Sequence, residues 1–214
     1  MVVFDGVSFS YPGCPVYENF SFHLPIGGLL VITGKSGAGK TTLLKLIERE
    51  LVPDSGHILV NGEDLASMGK KELPVYRRQL GIVSESLGLL PDKNIYDNLV
   101  FAKRIVEAGE RDTEIQVSMA LKTVGMEDYY RHFPDELSGG QVKKILIARA
   151  IVNHPDLLLA DEPTRDLDPE SSIEIVNLLS EVNRMGTTVI LVTHDTASIE
   201  HLNCMRMRID KREN

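Results

Sequence analysis

Leu29-Leu-Val-Ile-Thr-Gly34-Lys-Ser-Gly-Ala-Gly-Lys40-Thr41-Thr42-Leu-Leu-Lys-Leu-Ile47 is the stretch whose reading decides the fold. Its middle, Gly34 to Thr41, matches the phosphate-binding pattern GxxxxGK[ST] in full. The apolar run Leu29 to Thr33 before it reads as a strand buried on both faces, and Thr42 to Ile47 after it reads as a helix. In that context the loop's N–H groups turn inward and the helix N-terminus adds partial positive charge, so the chain makes a nest for polyphosphate. The expected cradle is Gly34, Lys35, Ser36, Gly37, Ala38, Gly39, Lys40, Thr41 and Thr42. Lys40 is expected to reach the β- and γ-phosphates. The Thr41 hydroxyl is expected on a Mg²⁺ ion that keeps most of its waters and takes other ligands from phosphate oxygens.

Two further apolar runs end in groups suited to the same chemistry. Leu157 to Ala160 leads into Asp161-Glu162, and Thr188 to Thr193 leads into His194-Asp195. Carboxylates at the C-terminal edge of such strands lie where parallel sheets bind ligands. Asp161 is expected to hold Mg²⁺ through water, and Glu162 to polarise the attacking water. His194 is expected at the same edge, against the γ-phosphate. Strand ends also carry acids merely because solvent begins there, and one histidine is usually structural. Beside a complete phosphate loop the functional reading takes precedence.

The flanks place this core. Val3, Gly6, Val7 and Phe9 alternate as in a strand that ends in the Tyr11-Pro12-Gly13 turn, and Tyr17 to Leu24 reads as its antiparallel neighbour. Tyr11 either stacks on an adenine or is a half-buried strand-end tyrosine; spacing alone leaves both open. Lys70 to Leu80 is charged and helix-like. Between Asp92 and Tyr130, Ile95, Leu99, Ile105, Val106, Ile115, Met119, Leu121 and Val124 recur at helical spacing, expected to pack against one another or to form a docking face. The 214 residues suit one domain, and a net charge of −8 gives no general attraction to nucleic acid, so no nucleic-acid partner is expected. Cys14 and Cys204 have neither disulfide-framework nor zinc spacing. With no leader pattern and no long apolar run, the chain is expected in the cytoplasm, peripheral to the membrane through a partner.

Leu137-Ser138-Gly139-Gly140-Gln141 before a helical run offers a second phosphate-binding helix N-terminus, which one nucleotide does not need. Here the sequence resembles the ABC-type ATPases, whose LSGGQ signature closes on the ATP of a second subunit. The resemblance spans essentially the whole chain: phosphate loop, signature, Asp161-Glu162, Leu167-Asp168 and His194. It implies an α/β fold, a P-loop NTPase core with a mainly parallel sheet, an N-terminal antiparallel β layer and an all-helical signature subdomain at about residues 86–152. Residues 1–214 would then be one nucleotide-binding domain.

It also implies ATP and Mg²⁺ as ligands, adenine stacking by Tyr11, nucleotide contact by Ser138, Gly139, Gly140 and Gln141, and a homodimer formed on ATP. An integral membrane subunit would be the partner. Two positions depart from the pattern. Glu85 stands where the family places a Gln near Mg²⁺ and the attacking water, so its carboxylate can still meet the metal while adding negative charge. Arg165-Asp166 replaces the Gly-Asn of many relatives. Within the superfamily, Glu72 to Val83 and Leu89 to Asn98 are similar to the FtsE family of cell-division ATPases, which work with the membrane protein FtsX. The lipoprotein-release and macrolide-export families LolD and MacB are the alternatives, and a soluble ABC ATPase without a transport role is a more distant one.

Overall fold

The computed structural model describes residues 1–84, 86–106 and 112–210, the side chain of Val106 excepted. Strands β1 (Val2–Tyr11), β2 (Cys14–Leu24), β4 (Ser55–Val60) and β5 (Glu63–Asp64) form an antiparallel sheet in the order β2-β1-β4-β5. The other sheet is parallel. Its strands β3 (Leu29–Thr33), β6 (Leu80–Ser84), β7 (Leu157–Asp161), β8 (Thr188–Val192) and β9 (Met205–Arg208) run in the order β6-β7-β8-β3-β9. The helices are α1 (Lys40–Ile47), α2 (Leu73–Arg78), α3 (Ile95–Val106), α4 (Thr113–Thr123), α5 (Gly139–Ile151) and α6 (Pro169–Arg184). This is the P-loop NTPase architecture expected from the sequence.

The apolar runs are continuous because the parallel sheet is covered on both faces. Successive side chains divide between two cores. Val31, Val83, Leu158, Val189 and Leu191 pack with α3, α4, α5 and α6 residues such as Leu99, Leu121, Ile147 and Ile175. Leu30, Ile32, Leu159, Ile190 and Val192 pack on the other side with Leu43, Leu46 and Ile47 of α1 and with Phe4, Val7 and Ile58 of the antiparallel layer. The period of two thus fixes which residues face which core.

Register then aligns the strand ends. Ile32 is paired with Val192, Val192 with Asp161, and Asp161 with Ser84. The chain leaves β3, β8 and β7 at one level, so the phosphate loop, His194 and Glu162 emerge side by side.

Three local expectations change. The residues of β1 that are buried are Val2, Phe4, Val7 and Phe9, with Val3 only half-buried. Pairing with β2 shifts register between Phe4 and Val7, where Gly6 has φ 59, and this bulge moves the buried face by one residue. The helical stretch does not bury all its regular apolar positions either. Ile95, Leu99, Leu121 and Val124 are core, whereas Ile105, Ile115 and Met119 are at least half exposed. On α4 the face toward α3 and α5 is set by Val117, Ala120 and Leu121, which turns Ile115 and Met119 outward. Finally α2 is shorter than Lys70 to Leu80, beginning at Leu73 with Pro74 in its first turn, where a missing N–H costs nothing.

Candidate functional site

The phosphate loop joins β3 to α1. Gly39 is the N-cap of α1 with φ 104; no side chain caps the helix, and its first turn carries no acid. The N–H groups that open α1 therefore have no intrahelical acceptor and remain for an anion. Two glycines are required by space as well as by backbone. A Cβ at Gly34, φ 152, would strike the carbonyl of Ile209, and one at Gly39 would lie 2.6 Å from Val16 Cγ1. The buried Tyr17 hydroxyl donates to the Gly39 carbonyl at 2.7 Å, and burial pushes that phenol's pKa upward. Lys40, itself buried, turns its ammonium back on the loop, donating to Gly34 O at 2.9 Å and Lys35 O at 3.2 Å.

Facing the loop are the two carboxylates. Thr41 Oγ1 donates to Asp161 Oδ2 at 2.8 Å, while Asp161 Oδ1 is buried with no partner among the described residues. An unsatisfied carboxylate oxygen next to a threonine hydroxyl is the donor set a hard cation takes, so these residues fit Mg²⁺. Burial raises the Asp161 pKa; the Thr41 hydrogen bond opposes that, Glu162 adds to it, and Arg165 and Lys40 pull it down. Glu162 is 8% exposed and sits at φ 48, a left-handed backbone that a non-glycine residue adopts at a cost of about 1–3 kcal/mol. Its N–H donates to Val192 O. Its side chain is held from both sides: Oε2 accepts the His194 amide at 3.1 Å and lies 2.7 Å from His194 Nδ1, and Oε1 is 3.7 Å from Lys40 Nζ.

Thr41, Asp161, Glu162 and Arg165 line a cavity of about 690 Å³, together with Glu48, Ser84 and Ser86. Ser84 and Ser86 hydroxyls are 3.0 Å apart; Glu85 between them, the third expected metal ligand, lies outside the described residues. Tyr11 stands exposed at the β1–β2 turn, its ring edge-on to Phe9 and its hydroxyl 3.4 Å from Thr42 Oγ1. It is therefore on the phosphate-loop side, with its ring partly exposed.

The signature stands apart from this group. Ser138 is the N-cap of α5, and Gly139 and Gly140 are the first helical residues, where the sequence had suggested glycines preceding the helix. Ser138 N–H donates to Gln141 Oε1 at 2.9 Å and Gln141 N–H to Ser138 Oγ at 3.3 Å, a reciprocal capping box. A Cβ on Gly139 would meet Leu167 and one on Gly140 would meet Ser171, each at 3.6 Å, so the signature lies against the loop before α6 and that helix's first turn. Asp168 caps α6 through the Ser171 amide and hydroxyl, and those bonds lower its pKa. Val16 and Tyr17, which prop Gly39 from β2, were not singled out by the sequence; an aromatic six residues after Tyr11 in a strand gives no sign of which loop it will support.

Known proteins resemble this chain in sequence and in fold. The ABC transporter family model matches residues 17–165. The FtsE cell division ATP-binding protein of Haemophilus influenzae is 41% identical over 94% of this chain and 93% of its own length, and that of Bacillus subtilis 40% identical over 98% and 91%. Among solved structures, the dimeric post-hydrolysis form of the ATP-binding cassette MJ0796 bound to ADP and Pi superimposes with a TM-score of 0.81 at 29% identity, covering 92% of this chain and 90% of that one. The cbiO1 protein of Clostridium perfringens, part of the ABC transporter complex cbiONQ, gives 0.84 at 29% identity over 91% and 78%. By family match, by relatives aligned almost end to end and by fold, the chain belongs to the ABC transporter family, as an ATP-hydrolysing subunit similar to FtsE.

Proposed function

We propose that the chain, read as one nucleotide-binding domain with residues 86–152 as its signature-bearing part, binds ATP and Mg²⁺ at the shared edge of β3, β8 and β7. It then closes as a homodimer on ATP and drives a separate integral membrane subunit, FtsX-like or another permease, from the cytoplasmic side. The observation that carries this reading is Asp161 Oδ1, without a partner among the described residues, next to the Thr41 to Asp161 bond and to a Glu162 already oriented by His194 and Lys40.

In this reading the uncapped start of α1 binds phosphate oxygens, and Lys40 exchanges its two loop carbonyls for the β- and γ-phosphates. Thr41 and Asp161 would hold Mg²⁺, and Glu85, outside the described residues, is the further ligand the sequence offers; the ion neutralises phosphate charge when bound. Glu162 Oε2 is committed to His194, which leaves Oε1 to accept the proton of the attacking water. Tyr11 offers its partly exposed ring to the adenine. Ser138, Gly139, Gly140 and Gln141 serve the nucleotide of the partner copy.

The membrane subunit is supported by a groove of about 600 Å³ lined by Pro74, Arg78, Phe101, Ile105 and Arg149, between α2 and the signature-bearing helices. Phe101 and Ile105 remain half exposed there, and Val75 stands exposed next to Pro74. Among the described residues no helix is long and apolar enough to cross a membrane.

Glu162→Gln tests the assignment. The variant binds ATP, loses hydrolysis and accumulates as a dimer on gel filtration with ATP and Mg²⁺. Hydrolysis at the wild-type rate would place the base elsewhere.

A further inference from the structure

Helix α1 is open at its N-terminus and closed at its other end. Leu44 O accepts the Glu48 amide, Lys45 O those of Glu50 and Leu51, and Leu46 O that of Arg49. The next three carbonyls take side chains of α2. The buried Tyr76 hydroxyl donates to Ile47 O at 2.6 Å, Arg77 Nε to Glu48 O at 3.0 Å and Arg77 Nη2 to Arg49 O at 3.0 Å. One phenol and one planar cationic fork thus finish the helix, where carbonyls lack intrahelical donors and the dipole favours positive charge.

The same bonds attach α2. Tyr76 is its buried residue, whereas Pro74, Val75, Arg77 and Arg78 are exposed. α2 therefore rests on the molecule through the side chain that bonds α1, helped by Leu73 packed on the same core. Arg77 in turn borders two places. With Pro74 and Arg78 it lines the groove that holds Phe101 and Ile105. Glu48, whose carbonyl it binds, lines the cavity of Thr41 and Asp161.

We infer that Arg77 is a positioning residue of the phosphate site: with Tyr76 it fixes the carbonyl end of α1, and through these bonds nucleotide in the loop steadies α2 and the wall of the groove. By linkage the effect runs both ways, so a partner seated against α2 alters nucleotide affinity by the same factor. This rests on the nucleotide site proposed above and extends it to a helix that the site does not touch.

The test is amide hydrogen exchange on the full chain, with and without ADP and Mg²⁺, for the wild type, Arg77→Gln and Arg78→Gln. ADP is chosen so that neither turnover nor ATP-driven dimer closure contributes. Arg78 is the control for charge, being exposed and having no hydrogen bond to α1 among the described residues. In the wild type ADP slows exchange in the phosphate loop and, about threefold, in residues 73–79. In Arg77→Gln the first protection stays and the second is lost, while Arg78→Gln keeps both. A residue that merely stabilised α2 would change its exchange to the same degree with and without ADP, and that result overturns the inference. So does a wild type in which ADP protects the loop but not α2, which leaves the nucleotide site intact, and so does loss of α2 protection in Arg78→Gln. Absence of protection at the loop itself removes the nucleotide site, and the inference with it.

Discussion

Two helices of this chain begin with glycine-rich, phosphate-type sequences, and they begin differently. At α1 the cap is Gly39, with no side chain turned toward the helix and no acid in the first turn. At α5 the cap is Ser138, tied to Gln141 by two reciprocal hydrogen bonds. The first N-terminus is left open and needs an anion to satisfy it. The second has met part of its need within the chain and keeps the Gly139 and Gly140 N–H groups to offer. On the proposed reading, one is a binding site by itself, and the other contributes to a site completed by a partner copy.

The largest effect that would break this distinction is at the open end. Lys40→Ala removes the buried cation that faces the nest, and nucleotide affinity measured by titration should fall by about 100-fold or more. Wild-type affinity in a folded variant would mean that α1 is not the phosphate site. At the closed end, Ser138→Ala should leave the nucleotide affinity of the isolated subunit unchanged. It should weaken ATP-driven dimerisation about tenfold in sedimentation, along with the roughly 1 kcal/mol expected for loss of a helix cap. A drop in monomer affinity would put both N-termini on one nucleotide.

The comparison sharpens at the other end of α1, where Glu48 is the C-cap. A carboxylate here opposes the helix dipole. Burial first, then Glu50 and Asp161, push its pKa up to about 7, against Lys45 and Arg77. Because the folded pKa lies above the unfolded one, the contribution to stability is present below about pH 4.5 and is lost as pH rises toward 7. Glu48→Gln should therefore be more heat-stable than wild type at pH 8, by about 1 kcal/mol after allowance for solvent screening, and no different at pH 4. Equal melting temperatures across the series would show that Glu48 is well solvated. The smallest effect is Tyr17→Phe: losing the bond to Gly39 O should cost about 1 kcal/mol in thermal unfolding and a few-fold in ATP affinity, without any change in dimerisation.

Much of the site was legible because its chemistry sits at the ends of local patterns. An apolar run followed by Gly34 to Thr41, by Asp161-Glu162 or by His194 states both the strand and what it carries, and parallel pairing brings the three ends to one level. What escaped depends on residues distant in sequence. Tyr17 supports Gly39 from 22 residues away. The outward turn of Ile115 and Met119 follows from where α3 and α5 lie, since helical spacing alone fits more than one face. The bulge at Gly6 inverts an alternation that looked regular, because one extra residue changes the face of everything after it. Gln141 was read as a nucleotide contact, and its first duty within the chain is to cap its own helix.

The strand order has a consequence for how the molecule is made. β3, which delivers the phosphate loop, pairs with β8 on one side and β9 on the other. Leu29 to Thr33 thus wait for partners more than 150 residues downstream, Val189 to Val192 and Met205 to Arg208. During synthesis the antiparallel hairpin of β1 and β2 can close early, while β3 leaves the ribosome as an apolar strand with both edges unpaired. The proposed nucleotide pocket is in consequence expected to be among the last parts to assemble. Nascent chains halted before Thr188 should hold a folded N-terminal layer yet expose β3 to protease and to aggregation.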